Sequence, residues 1–177
     1  MSLGLIVKTG RILTARLLMG DPIEGITHCA IGEGDATFTD PLNPPAPEID
    51  QTALKNEMAR KKHYKRTFLK EDPEGTLIVN GIHYIETAEE TQTIGVFFRF
   101  EESEANGITI REYGFFAGDV AYIDGLQSDY AEGGVYHPDT NPTGEVLTPG
   151  YLYEVKNIPD FNKTSDTRVE LVGVIKI

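Results

Sequence analysis

The chain has 177 residues, 40% of them hydrophobic and 25% charged, which suits one domain with a buried core. Its formal net charge of −12 argues against broad nucleic-acid binding, and no apolar run approaches the ~20 residues of a membrane-spanning helix. The single cysteine, Cys29, excludes an internal disulfide framework and a cysteine-based zinc site, and it suits folding in a reducing compartment.

At the N-terminus the apolar stretch "LGLIV" precedes Lys8 instead of following a basic residue, and no A-x-A-like site comes after it. It reads as part of the mature protein and not as a secretory leader. Residues 9–19, "TGRILTARLLM", place Ile12, Leu13, Arg16, Leu17 and Leu18 at helical spacing, and "GDP" at 20–22 stops that helix. "ITHCAIG" follows as a short strand, with Ile26, His28 and Ala30 on one face and Thr27, Cys29 and Ile31 on the other. The proline-rich "TDPLNPPAPEI", 39–49, is an ordered or extended loop. Asp50 is a suitable N-cap for a second helix near 51–62, "QTALKNEMARKK", with Ala53, Leu54 and Met58 along one side.

From residue 64 onward the pattern is β. "GTLIVNGIHYIE" predicts a hairpin about an Asn80-Gly81 type I′ turn, pairing Val79 with Ile82 and Leu77 with Tyr84. "TIGVFFRF" puts Ile94, Val96, Phe98 and Phe100 on a core face, and "GITIREYGFFAGDVAYIDG" reads as two strands joined at the "AGD" turn. Residues 125–150 form a long loop rich in Gly, Pro, Asp and Asn, a length that in a compact domain points to function or to ordering on contact. "TRVELVGVIKI" closes the chain as a strand with Val172 and Val174 apolar on its second face. Together these pieces predict one α+β domain over 1–177, mainly an antiparallel, sandwich-like sheet with two short helices in its N-terminal half.

Charge is segregated along the chain. Residues 55–66 carry six cations and one acid, and residues 71–106 carry nine acids with Arg99 as the only formal cation. Such separation suits electrostatic matching between copies or with a neighbouring protein, or else two solvated faces.

"ITHCAIGEGD", 26–35, concentrates the residues with most chemical potential. A thiolate nucleophile needs its imidazole within hydrogen-bond reach, yet adjacent strand residues point to opposite faces, which separates His28 from Cys29. "GEGD" lacks the following helix that a phosphate cradle requires. His28, Glu33 and Asp35 supply N and O donors for a metal-dependent hydrolase, a weak signal in a chain with 28 acids. The reading that remains is a buried strand ended at Gly32 and Gly34, with no catalytic residue, cofactor or metal expected.

The order of the pieces resembles the N-terminal, collar-like domain of bacteriophage tail-fibre proteins. Thr27, His28, Gly32, Gly34 and Asp35 match its strand and turn. Gln51, Thr52, Ala53, Leu54, Asn56, Glu57 and Arg60 match its "QTAL-NE--R" segment. Ile108, Thr109, Ile110, Arg111, Glu112, Gly114 and Phe116 match its "ITIRE-GLF" strand. The resemblance covers residues 9–124 and, more loosely, the last strand. It implies a non-enzymatic virion protein of a contractile tail, made in the host bacterial cytoplasm, that attaches fibres to the baseplate. It also implies contacts with a baseplate protein and a tail-fibre protein, and assembly in several copies, trimers being favoured. Fibre proteins of this kind continue into a shaft and tip, whereas this sequence stops at Ile177, so the expectation is an adaptor to a separate fibre. Candidate contact residues are Leu3, Leu5, Ile6 and Val7 at the N-terminus, Tyr130 and Tyr136 in the long loop, and Val172 and Val174 in the last strand. The alternative from a different class is a receptor- or glycan-binding module that uses Tyr122, Tyr130 and Tyr136.

Overall fold

The β-rich patterning of the chain is realised as two antiparallel sheets. The computed structural model describes residues 4–121, 135–136 and 148–177. Among these the elements run β1 (Leu5–Ile6), α1 (Lys8–Leu18), β2 (Ile26–Gly32), β3 (Glu57–Lys62), β4 (Lys65–Glu71) and β5 (Leu77–Val79). They continue with β6 (Ile82–Thr87), β7 (Thr93–Phe100), β8 (Thr109–Ala121), β9 (Val135–Tyr136), β10 (Thr148–Asn162) and β11 (Val169–Lys176). One sheet has the order β1-β10-β8-β2-β3-β9, the other β11-β7-β4-β6-β5.

The class is therefore mainly β and not α+β, since α1 is the one helix among the described residues. The second expected helix, 51–62, does not form. Residues 57–62 instead pair as β3 with β2, in the register His28↔Lys62 to Ile31↔Ala59. "EMARKK" has good intrinsic helix formers, but tertiary context overrides that preference. As a strand the segment buries Ala59 among Ile31, Phe100, Ile108 and Ile110, and lays Arg60 over the Phe116 ring on the other face. The first helix forms close to where its periodicity puts it, with Leu13 buried and Ile12, Leu17 and Leu18 largely outward.

The 76–87 hairpin has the predicted register, Leu77↔Tyr84 and Val79↔Ile82, with Asn80 and Gly81 at φ 53° and 82°. The "AGD" segment behaves differently from its reading as a turn. β8 runs straight through it as one strand, because Gly118 takes φ 79° and absorbs an irregularity where the register passes from Ala117↔Tyr151 to Val120↔Pro149. The last fifteen-residue strand before the C-terminal one, β10, begins at Thr148, inside the expected loop. Val135 and Tyr136 form β9 on β3, and the remaining residues of that loop lie outside the described residues.

The core lies between the sheets. Cys29 and Phe115 from the six-stranded sheet meet Val96 and Phe98 from the five-stranded one, and the Phe98 and Phe115 rings stack at 5.3 Å. Ile26 joins Cys29 in this cluster, contrary to strict alternation, because the β2–β8 register shifts between Ile26 and His28. The five-stranded sheet has a second apolar face. Leu77 and Val79 of β5 pack with Leu69, Tyr84, Phe97, Val172 and Val174, although β5 and β11 are its opposite edges. Flat, those edges would lie about 19 Å apart at the usual spacing between strands. The sheet therefore curls almost into a barrel.

Truncating Phe115 to alanine should cost about 3–5 kcal/mol in urea unfolding, because it empties the stack that joins the sheets. Ile78→Ala, at an exposed site on β5, should stay within about 0.5 kcal/mol.

Candidate functional site

The three segments that carry the family resemblance meet at one carboxylate. Glu112, fully buried on β8, accepts the backbone N–H of Asn56 at 2.8 Å and of Lys55 at 3.0 Å, and also that of Gly34. Burial pushes its carboxyl above the ordinary range, and these backbone donors oppose that rise. Gly34 holds φ 71° at the turn that delivers its N–H. Beside it, Glu33 donates its N–H to the Asn56 carbonyl at 3.0 Å and accepts from the Thr109 N–H at 3.2 Å. Gln51 Nε2 donates to the Ala53 carbonyl at 2.8 Å, which shapes the irregular run into β3. The proline-rich loop is pinned to β10 by Asn157 Nδ2 on the Pro45 carbonyl (2.9 Å) and by the Asp160 N–H on the Pro41 carbonyl (2.9 Å).

A second polar group lies on the same sheet. Arg60, 2% exposed, donates from Nε and Nη2 to the two carboxylate oxygens of Glu57 at 2.7 Å each, and from Nη1 to the Pro149 carbonyl at 2.7 Å. Its guanidinium sits 3.9 Å from the Phe116 ring centroid. His28 lies beside it and contacts the Thr27 hydroxyl at 2.8 Å. Burial first, then the charges of Arg60 and Lys62 and the neighbouring His63, lower the His28 pKa to about 3. Cys29 is fully buried in the inter-sheet core, and burial raises its thiol pKa well above the ordinary value. The imidazole and the thiol are thus both enclosed, and they lie on opposite faces of β2.

His28, Glu33 and Asp35 are not brought together. His28 is central in β2, Glu33 faces Thr109, and Asp35 Oδ1 accepts from the Thr37 N–H at 2.8 Å. Among the described residues no three His, Cys, Asp or Glu side chains gather as a metal site. No helix among them is long and apolar enough to cross a membrane. The segregated charge is partly used within the chain, through Lys61–Glu104, Lys65–Glu86 and Arg99–Glu170.

The candidate contact residues divide by burial. Leu5 and Ile6 form the edge strand β1 on β10, with Ile6 38% exposed, whereas Val7 is fully buried among Ala30, Leu54 and Phe116. Val172 and Val174 are half-buried in the curled face of the five-stranded sheet. Tyr136 lies in β9, opposite Arg60. Leu3, Tyr122 and Tyr130 lie outside the described residues. Periodicity alone misses the exposed Leu18 and Met19 at the end of α1, because it marks them as helix without saying which side meets the sheet. Their neighbours Leu13, Leu17, Ile26, Ile94 and Ile175 line an apolar groove of about 200 Å³.

Compared with known families, the sequence matches the one described as "Baseplate wedge 3 tail fiber network component" over residues 5–177. No curated protein matches it.

Two outcomes follow from the buried polar groups. Glu112→Ala should cost about 2–4 kcal/mol in urea unfolding, because a buried donor without its acceptor costs about 1–3 kcal/mol and the donors of the exposed Lys55 and Asn56 regain water in part. His28 is held neutral, so its contribution to stability is whole above its ordinary pKa of 6.5 and is lost as pH falls from there toward about 3. Glu112 and Glu154 act with the opposite sign, since their raised carboxyl pKa values favour the fold as pH falls toward the ordinary glutamate value of 4.5. His28→Gln should therefore flatten the decline of the urea midpoint between pH 6.5 and 4, even if it lowers the midpoint at pH 7.5.

Proposed function

We infer that this chain, which belongs to the family of baseplate wedge 3 tail fibre network components, is a structural connector that joins tail fibres to the baseplate through protein–protein contacts. The observation that carries this reading is the family match, which runs from β1 through residue 177. The geometry is in keeping with it. Several of the residues that resemble the tail-fibre collar, among them Gly34, Asn56, Glu57, Arg60 and Glu112, join the Glu112 and Arg60 networks inside the fold, which suits a frame. The outward surface retains large apolar side chains, among them Ile6, Leu18, Met19, Ile78 and Ile177, of the kind that contact surfaces use. The connector acts without catalysis, cofactor or metal, and it works in several copies, trimers being favoured because tail fibres are commonly trimeric.

Tails assembled without this chain should keep a baseplate and lack attached fibres in electron micrographs. Fibres that still attach would sink the connector reading. In sedimentation the purified chain should run as an oligomer, alone or with a neighbouring tail protein, and a strict monomer that binds neither would count against assembly through this chain.

A further inference from the structure

The five-stranded sheet ends in two edges that cannot close on each other through an antiparallel ladder and that do not pair with each other among the described residues. Its order is β11-β7-β4-β6-β5 and every neighbouring pair is antiparallel. An odd number of alternating strands makes β11 and β5 run in the same direction, so no antiparallel ladder can join them. Yet the curl brings them to the same apolar cluster, with a cleft of about 520 Å³ lined by Thr76–Asn80 on one side and Glu170, Val172 and Val174 on the other.

Both edges present free backbone groups toward this cleft. A two-residue turn makes Val79 and Ile82 a hydrogen-bonded pair, so by alternation the N–H and C=O of Ile78 point away from β6. On β11, the Ile177 N–H donates to the Gln92 carbonyl. The same alternation turns the backbone groups of Glu170, Val172 and Val174 away from β7. Among the described residues β5 pairs only with β6, and β11 only with β7. The floor of the cleft is apolar through Phe97, and its lining carries Glu86, Glu154 and Glu170 with Lys156. Lys65 and Arg99 pair with Glu86 and Glu170 from outside the lining, in partly exposed ion pairs of the weak surface kind.

We propose that this cleft receives one extended strand of a partner polypeptide, antiparallel to both β5 and β11, completing a six-stranded barrel. Its inward side chains are apolar and rest on the Phe97, Val172 and Val174 cluster. Its outward side chains and flanks carry lysine or arginine that meet the acidic rim. The added strand supplies main-chain hydrogen bonds on both sides, and its alternation and charge set the choice of partner. This inference rests on the assembly reading above and names its mode of contact.

Hydrogen exchange on the full chain tests it, with a synthetic valine–lysine alternating heptapeptide and its valine–glutamate counterpart as probes. The amides of Ile78, Val172 and Val174 should exchange readily in the free chain and slow by about tenfold or more with the lysine peptide only. Ile78→Pro, which removes an outward N–H at an exposed position, should abolish that protection. Glu154→Lys with Glu170→Lys should shift the preference to the glutamate peptide, which keeps the test open if the proline variant fails to fold. Amides already protected in the monomeric chain would mean that its own residues 1–3, 122–134 or 137–147 fill the cleft, and would overturn the proposal. Protection that grows with the chain's own concentration alongside a dimer mass would assign the cleft to a second copy and overturn it too. So would indifference to both peptides. A chain that enters tails while these amides stay unprotected there sinks the strand slot and leaves the connector reading intact, whereas a chain absent from tails sinks the connector reading itself.

Discussion

The carboxylate of Glu112 is the constraint on which the six-stranded sheet depends. It is fully buried, and it collects backbone donors from Gly34, Lys55 and Asn56, which stand at the two ends of the one connection between β2 and β3. That connection leaves β2, which pairs directly with β8, and enters β3, which is one strand further along the sheet. Fixing the 53–56 run in an irregular path sets where β3 begins. It thereby decides that Arg60 falls over Phe116 and Ala59 among Ile31 and Ile110. A buried carboxylate is expensive to desolvate unless its oxygens are occupied, so the same group that organises the node would be a defect without those donors.

Much of the second half of the fold is legible in the sequence, because its signals are local. Asn80-Gly81 allows little except a tight turn, and the alternation in "TIGVFFRF" needs only a period of two. The first helix is legible for the same reason, its apolar residues recurring every three to four positions. The segment 51–62 is not, since its local preference is helical and the opposing term is Glu112, more than fifty residues away. Gly118 is misleading in a similar way. A glycine in a turn-like tripeptide looks the same whether it ends a strand or bends one, and only the pairing of β8 with β10 decides.

The chemistry suggested by "ITHCAIGEGD" is dissolved by burial and not by distance alone. All seven residues of β2 are buried because the strand is central in its sheet and covered on both faces. Desolvation favours the neutral form of His28 and the protonated form of Cys29, both enclosed within the sheet system. What the sequence reveals least is the outer surface. The two-sided apolarity of the last strand is visible as Val172 and Val174, but the curl that turns their face into a cleft depends on β5, which lies at the far edge of the sheet.

The two ends of the sheet system differ in how they would carry mechanical load. β11 is held to β7 by eight consecutive register pairs, from Val169↔Phe100 to Lys176↔Thr93, while β1 is held to β10 by two. A pull along β11 shears its whole ladder at once, and the rungs share the force. A pull on β1 meets two rungs and then the short helix that follows. Tension entering through β11 thus reaches the stacked Phe98 and Phe115 along an eight-rung ladder, whereas tension entering through β1 passes after two rungs straight to Val7, buried among Ala30, Leu54 and Phe116.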